Sequence, residues 1–374
     1  MPKLTASAVA LAIAAMLAAG SAAAQQPLTG GVTPGAVQEA PRPLRTADGK
    51  PNFSGTWSNA SLTPLSRGRG QTSLVVSEAE ARRIAGGTAV AGVAPEQAGN
   101  ENYVDPNAPA PPPGGSDFGL KGYNSFWVTP GDNLAYVHGE FRTSNIVEPA
   151  NGQLPYRDPA GIARSRQAGG VRYVTGVGGN AGPEDTNLAE RCLIGFSGTG
   201  GPGMLSALYN NNYEFVQTPT HLMILVEMAH DARIVPIFAS QAEAQRGHKP
   251  AAITPWLGDS VAWWEGDTLA IETINVNPEQ GRAHPFALSP AGKVTERLSR
   301  DGRDIFYSFT VDDPAIYTQA WRAELAFRPI EGHVYEYACH EGNYAMPHML
   351  AGQRLLDAQA AARPQPAAQR TTRR

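Results

Sequence analysis

Between residues 213 and 339 the chain alternates apolar and polar residues in runs of about six, and short turn segments separate the runs. Asp301-Gly302 divides 294–299 from 305–311, and Asp-Gly between alternating runs is a strong signal for a two-residue hairpin. Glu265-Gly-Asp-Thr268 divides 261–264 from 269–274, and Pro219-Thr220 divides 213–218 from 221–228. A further run covers 232–237, and 317–327 and 333–339 flank Pro329-Ile-Glu-Gly332 as a fourth hairpin. Parallel neighbours need long crossovers, and short turns exclude them, so the pattern predicts an antiparallel up-and-down meander. A meander this long leaves two raw edges, and closure into a barrel removes them. Trp321, Ala323, Leu325 and Phe327 alternate with Arg322 and Glu324, which gives the strands one packed face and one wet face.

The rest of the chain is arranged around that sheet. The predicted barrel covers 119–357 and includes a closing helix that carries Met349, Leu350, Leu355 and Leu356; 358–374 reads as a disordered tail. Residues 25–118 read as an irregular arm with an opening strand at 53–57 and a short helix at 77–85, where Ser77 caps and Glu80 completes the box. Residues 88–118 are rich in Pro, Gly and Asn and read as a lid, a wrapping arm or a disordered segment. A hairpin is expected at 125–129 and 134–138, and a short helix at 158–168.

Lys3, the apolar run 8–19 and Ala22-Ala-Ala24 have the layout of a secretory signal peptide, so the mature protein starts near Gln25, in the periplasm or outside the cell. No later stretch is long and apolar enough to span a membrane. A net charge of −4 gives no electrostatic case for nucleic acid. In an oxidising compartment the two cysteines, Cys192 and Cys339, are expected to pair. The closed loop of about 150 residues is worth about 5 kcal/mol in the chain-entropy model.

Phe53-Ser-Gly-Thr-Trp57 resembles the Gly-x-Trp motif at the start of lipocalins and related small-ligand barrels. The resemblance implies a calycin-like barrel in which Gly55 lets the chain approach the floor and Trp57 plugs it. The runs Tyr209-Asn-Asn-Asn-Tyr213, Glu227-Met-Ala-His-Asp-Ala-Arg233, Trp264-Glu-Gly-Asp-Thr-Leu269 and Tyr335-Glu-Tyr-Ala-Cys-His-Glu-Gly-Asn-Tyr344 resemble a large group of secreted bacterial proteins. That group is met in bacteria that degrade aromatic and plant-derived compounds, which implies a substrate of that kind.

Two of these runs carry the candidate chemistry. His230, Asp231, His340 and Glu341 are the candidate catalytic residues, with the histidines as acid and base and the carboxylates orienting them. Arg233, Glu227, Tyr344, Asn343, Tyr209, Asn211 and Tyr213 are candidate substrate-binding residues. The remaining histidines read as surface or packing residues, and Trp256, Trp263 and Trp264 as barrel wall or ligand-lining, with core packing preferred. Gly-x-Ser-x-Gly is absent, and the glycine-rich stretch 169–203 lacks the strand–turn–helix context of a nucleotide loop. The reading is a cofactor-independent lyase, isomerase or hydratase acting on a hydrophobic or aromatic compound, with no metal. Its alternatives are a periplasmic carrier of an apolar ligand and a metal-dependent hydrolase or oxygenase.

Overall fold

The computed structural model of the 374-residue chain describes residues 44–87, 130–163, 182–195 and 198–362. The expected signal peptide, most of the arm, the segment 125–129 and the tail beyond 362 lie outside them. The chain opens with β1 (Gly55–Ser58), β2 (Val75–Val76) and α1 (Glu78–Gly86), then β3 (Tyr136–Val137), β4 (Glu140–Arg142) and β5 (Ile146–Glu148). β6 (Asn212–Gln217), β7 (His221–Val226) and β8 (Ala232–Phe238) follow, then α2 (Gln241–Arg246), β9 (Asp259–Glu265), β10 (Thr268–Ile274) and α3 (Pro278–Ala283). β11 (Lys293–Asp301), β12 (Asp304–Asp312), β13 (Trp321–Pro329) and α4 (Ala345–Ala362) complete the fold.

The protein is mainly β. Its large sheet runs β1-β6-β7-β8-β9-β10-β11-β12-β13 and closes, because β1 also pairs with β13. The result is a nine-stranded barrel, with β5 added beside β13. Every pair is antiparallel except β8–β9, where Ile237 opposes Ala262 and Phe238 opposes Trp263 in parallel. This departs from an all-antiparallel meander. The segment 239–258 is long enough for a crossover, and it carries α2, capped by Ser240 accepting from the Glu243 amide. Ala244 of α2 packs over Val261, Trp263 and Ala270 on the outer face of the barrel.

Two further expectations are corrected. Residues 333–339 form no strand. β13 has both edges occupied, by β12 on one side and by β1 and β5 on the other, so a fourth hairpin has no edge to join. The strand that closes the barrel is instead the Gly-x-Trp segment, whose Gly55–Ser58 pairs with β6 and whose Trp57 opposes Pro329. The barrel therefore begins at 55, inside the region expected to be arm. The C-terminal helix forms, but none of its residues is buried, and Leu355 and Leu356 are 59% and 52% exposed. It does not close the sheet. α1 forms with the expected Ser77 cap and covers a small sheet, β2-β4-β3, through Ala81, Leu134 and Phe141.

The barrel interior is packed with aromatic rings. Tyr213 meets Phe327 edge-on at 5.0 Å, and Trp321 meets Phe286 and Phe309 at 5.0 and 5.6 Å, each pair worth about 0.5–1.5 kcal/mol beyond its buried area. Trp57 is buried, donates its indole N–H to the Phe53 carbonyl at 2.8 Å, and carries the Arg300 guanidinium 5.0 Å over its ring.

A polar knot sits among these rings. Arg233 Nη1 and Nη2 donate to Glu296 at 2.6 and 2.8 Å, and Tyr307 donates to the same carboxylate at 2.6 Å. Burial works against the ionised form of Glu296, but the Arg233 charge and the hydrogen bonds from Arg233, Tyr307 and Gly203 outweigh it and hold the carboxyl below its ordinary value. The segment 198–205 is buried against the knot: Tyr307 accepts from the Met204 amide, and Tyr213 donates to the Thr199 carbonyl. Gly201, with φ +87°, lies flat against Arg233, and a Cβ there would stand 2.8 Å from Cζ.

Removing one member of a buried pair strands the other charge. Arg233→Met and Glu296→Leu are each expected to cost about 3–5 kcal/mol in urea unfolding, and the double variant should recover most of that loss. Additive costs in the double variant would contradict the pairing.

Candidate functional site

The two segments that carry the candidate residues meet on one rim of the barrel. β7 ends at Val226, and the chain turns through Glu227 and Met228–His230 into β8. Ala229 and His230 both take left-handed backbone there, with φ +57° and +54°. Cys192 and Asn210, in the segments packed beside this turn, do the same, with φ +55° each. Side chains with a Cβ avoid this conformation, and its concentration here marks a locally strained rim.

Cys192 and Cys339 form the expected disulfide. It joins the 188–195 segment to the 337–343 segment, and each segment reaches the turn. The Gly195 amide donates to Asp231 Oδ2 at 2.7 Å, and the Tyr337 amide donates to His230 Nδ1 at 3.3 Å. A ring nitrogen that accepts is unprotonated, so neutral His230 carries its proton on Nε2. Asn343 Nδ2 donates to the Glu190 carbonyl at 2.6 Å, which ties the turn after the disulfide back to the same segment.

The structure sorts the candidate residues into three groups. Asp231, Glu227 and Arg233 lie in or against the body of the barrel. His230 stands at the rim beside them. His340, Glu341 and Tyr344 are exposed on the turn that follows the disulfide, and among the described residues no hydrogen bond joins His340 to His230. Asn211 and Tyr213 differ from the expected binding role. Asn211 bonds both the amide and the carbonyl of Ala207, and Tyr213 is buried in the core. Tyr209 packs against the same core. Asn210 and Asn212 instead hydrogen-bond Glu227, whose carboxyl burial raises and these bonds lower, with burial prevailing.

Asp231 is the most perturbed carboxyl on this rim. Burial pushes it up to about 6, against the opposing pull of the Gly195 amide. Gly195 and Gly200 leave the space for it, since a Cβ at either would stand 3.3 Å from Oδ2. Asp231 lines a cleft of about 470 Å³ that opens at the parallel seam between β8 and β9. Leu193, Trp256, Leu257 and Pro236 supply apolar wall, and Arg233, Lys249 and Ser260 also line it. This volume suits a small organic molecule.

Lys249 and Ser260 were not among the sequence-derived candidates, and Trp256 was read as wall or ligand lining with core packing preferred. The crossover that brings them there was legible in part: Ser240 with Glu243 three residues on is a helix-start signature. A smaller cavity of about 220 Å³ lies at the β11–β12 turn, where His138 Nδ1 pairs with Asp301 at 2.7 Å. Among the described residues no group of three or more His, Cys, Asp or Glu side chains is placed to hold a metal, and no helix is long and apolar enough to cross a membrane.

No family model matches the chain, and no curated protein matches it.

Two outcomes follow for stability. A folded-state carboxyl raised from 3.8 to about 6 binds its proton more tightly than the unfolded chain does. Its contribution is full below the unfolded value and is lost as pH rises through about 6, so Asp231→Asn should remove a decline in stability between about pH 4 and 6. Urea midpoints of both proteins across that window check the sign. Replacing both cysteines by serine should cost up to about 5 kcal/mol by the chain-entropy estimate, read by the same unfolding assay.

Proposed function

We propose that the protein is an exported small-molecule enzyme that moves protons on a hydrophobic or aromatic compound, with Asp231 as the acid–base group. The observation that carries this reading is a half-buried carboxyl at the wall of an open cleft lined by both apolar and polar groups. General acid–base chemistry is fastest when the group titrates near the working pH, and burial has moved Asp231 toward that range. Trp256 and Leu257 give the cleft an aromatic and aliphatic wall suited to such a substrate. His230, adjacent in sequence and exposed at the rim, is the second proton carrier. His340 and Glu341 support the rim through the disulfide turn and stand further from the reaction. Export fits the intact disulfide, which belongs in an oxidising compartment.

A carrier role is the second reading, favoured by the barrel architecture itself. The two differ in turnover. Full-length protein is incubated with a panel of plant-derived aromatic compounds, and products are followed by mass spectrometry. The enzyme reading expects turnover that falls about 10²–10⁴-fold in Asp231→Asn and changes little in His340→Ala. Turnover indifferent to Asp231→Asn sinks the assignment, and binding without turnover favours the carrier.

A further inference from the structure

The second cavity lies at the far end of the barrel from Asp231. β8 and β9 both run away from the Asp231 rim, β10 returns and β11 runs away again, so the β11–β12 turn sits at the opposite end. There the cavity of about 220 Å³ is lined by Tyr136, His138, Asp301, Asp304, Phe306 and Ala326. Ile305 and Tyr307 face the core, so Asp304 and Phe306 turn to the outside, and Ala326 of β13 opposes Phe306. A methyl group at that position leaves room that a longer side chain would fill. The other wall comes from the small sheet. His138 and Gly139, with φ +51° and +81°, make the two-residue turn between β3 and β4, and it brings the His138 ring to 4.1 Å from Phe306.

The charged lining of this cavity is short of donors. Asp301 Oδ2 accepts from His138 Nδ1 at 2.7 Å, so the other nitrogen of the neutral ring is itself an acceptor. Among the described residues no hydrogen bond reaches the Asp304 carboxylate, and Nε of its ion-pair partner Arg328 stands 3.9 Å away. Burial raises the Asp304 carboxyl; the Arg328 charge opposes this, and the Asp301 charge adds to it. Arg300 and Arg303 also pull it down, and the raising causes prevail. Two carboxylates on one cavity repel each other, and a donor that carries positive charge offsets both the repulsion and the missing hydrogen bonds. Tyr136 and Phe306 add ring surface beside them, which suits a cation with an apolar body.

We propose that this cavity is a binding site for a small organic cation, a primary ammonium on an apolar or aromatic body. The ammonium lies between Asp301 and Asp304 and donates to both, and the body rests against Tyr136 and Phe306. An ammonium has three donors and no acceptor, which matches a wall of carboxylate oxygens, whereas a neutral polyol would ask the wall for donors as well. The cavity is smaller than the about 300–1,000 Å³ of drug-sized pockets, so the body is about one ring in size. Among the described residues these side chains are not placed as a metal-ligand group, so the cation is organic. The site does not depend on the Asp231 reading.

The test titrates full-length protein by calorimetry with benzylamine and with benzyl alcohol, its neutral isostere. Benzylamine should bind at least ~10-fold tighter, and more weakly as salt rises. Asp304→Asn, checked for folding by its melting curve, should lose that preference, and Asp231→Asn, at the other rim, should keep it. Proton NMR locates the site in the unmodified protein: the His138 ring signals, assigned by their loss in His138→Ala, should move as benzylamine is added. Equal affinity for amine and alcohol overturns the cation assignment and points to a neutral hydroxyl ligand. A preference that survives in folded Asp304→Asn, or that Asp231→Asn removes, overturns the location. Unmoved His138 signals overturn it as well, whether or not Asp304→Asn folds.

Discussion

A sheet of nine strands must meet itself or leave two unpaired edges, and here a four-residue strand makes the join. β1 lies between β6 and β13, and its Trp57 enters the core from the seam. Once β1 is in place, β13 has no free edge. The chain after Pro329 then leaves the sheet, its Ile330 amide bonded to the Thr56 carbonyl, and crosses the rim to be anchored by the Cys192–Cys339 bridge. The rim's geometry follows from closure: the 337–343 segment is available to touch His230 because it was not taken up as a strand.

The interior shows a second dependence. The nearly continuous aromatic core would exclude the backbone of 198–205, which brings buried amides and carbonyls with it. Glu296, Tyr307, Tyr213 and Asn59 receive those groups, and Arg233 balances the charge. One ion pair therefore lets an irregular segment pack among the rings.

How much of this was legible follows from range. The tight hairpins declare themselves through residues that sit side by side, such as Asp301-Gly302, and the cysteine pair through number and compartment. The β1–β13 contact joins residues at least 270 positions apart: the Gly-x-Trp motif marked 53–57 as an entry strand, but no local pattern marks its partner. The parallel seam was hidden because the connections were all taken as short turns, whereas 239–258, which holds α2, is long enough for a crossover. For the site, the motif around His230 and Asp231 was visible as a cluster of ionisable residues. Which of them faces solvent was not: His340 looked as reactive as Asp231, yet one is exposed and the other sits under Gly195 and Gly200. The cleft's other side, Lys249 to Ser260, gains its place opposite Asp231 only across the seam.

The central claim is that burial tunes one carboxyl at the cleft toward neutrality. Carbon NMR of the Asp231 carboxyl, assigned by its loss in Asp231→Asn and followed across pH, reads this directly. A titration midpoint near 6 is the predicted result. A midpoint at the ordinary aspartate value of 3.8 would show a solvated side chain and contradict the account.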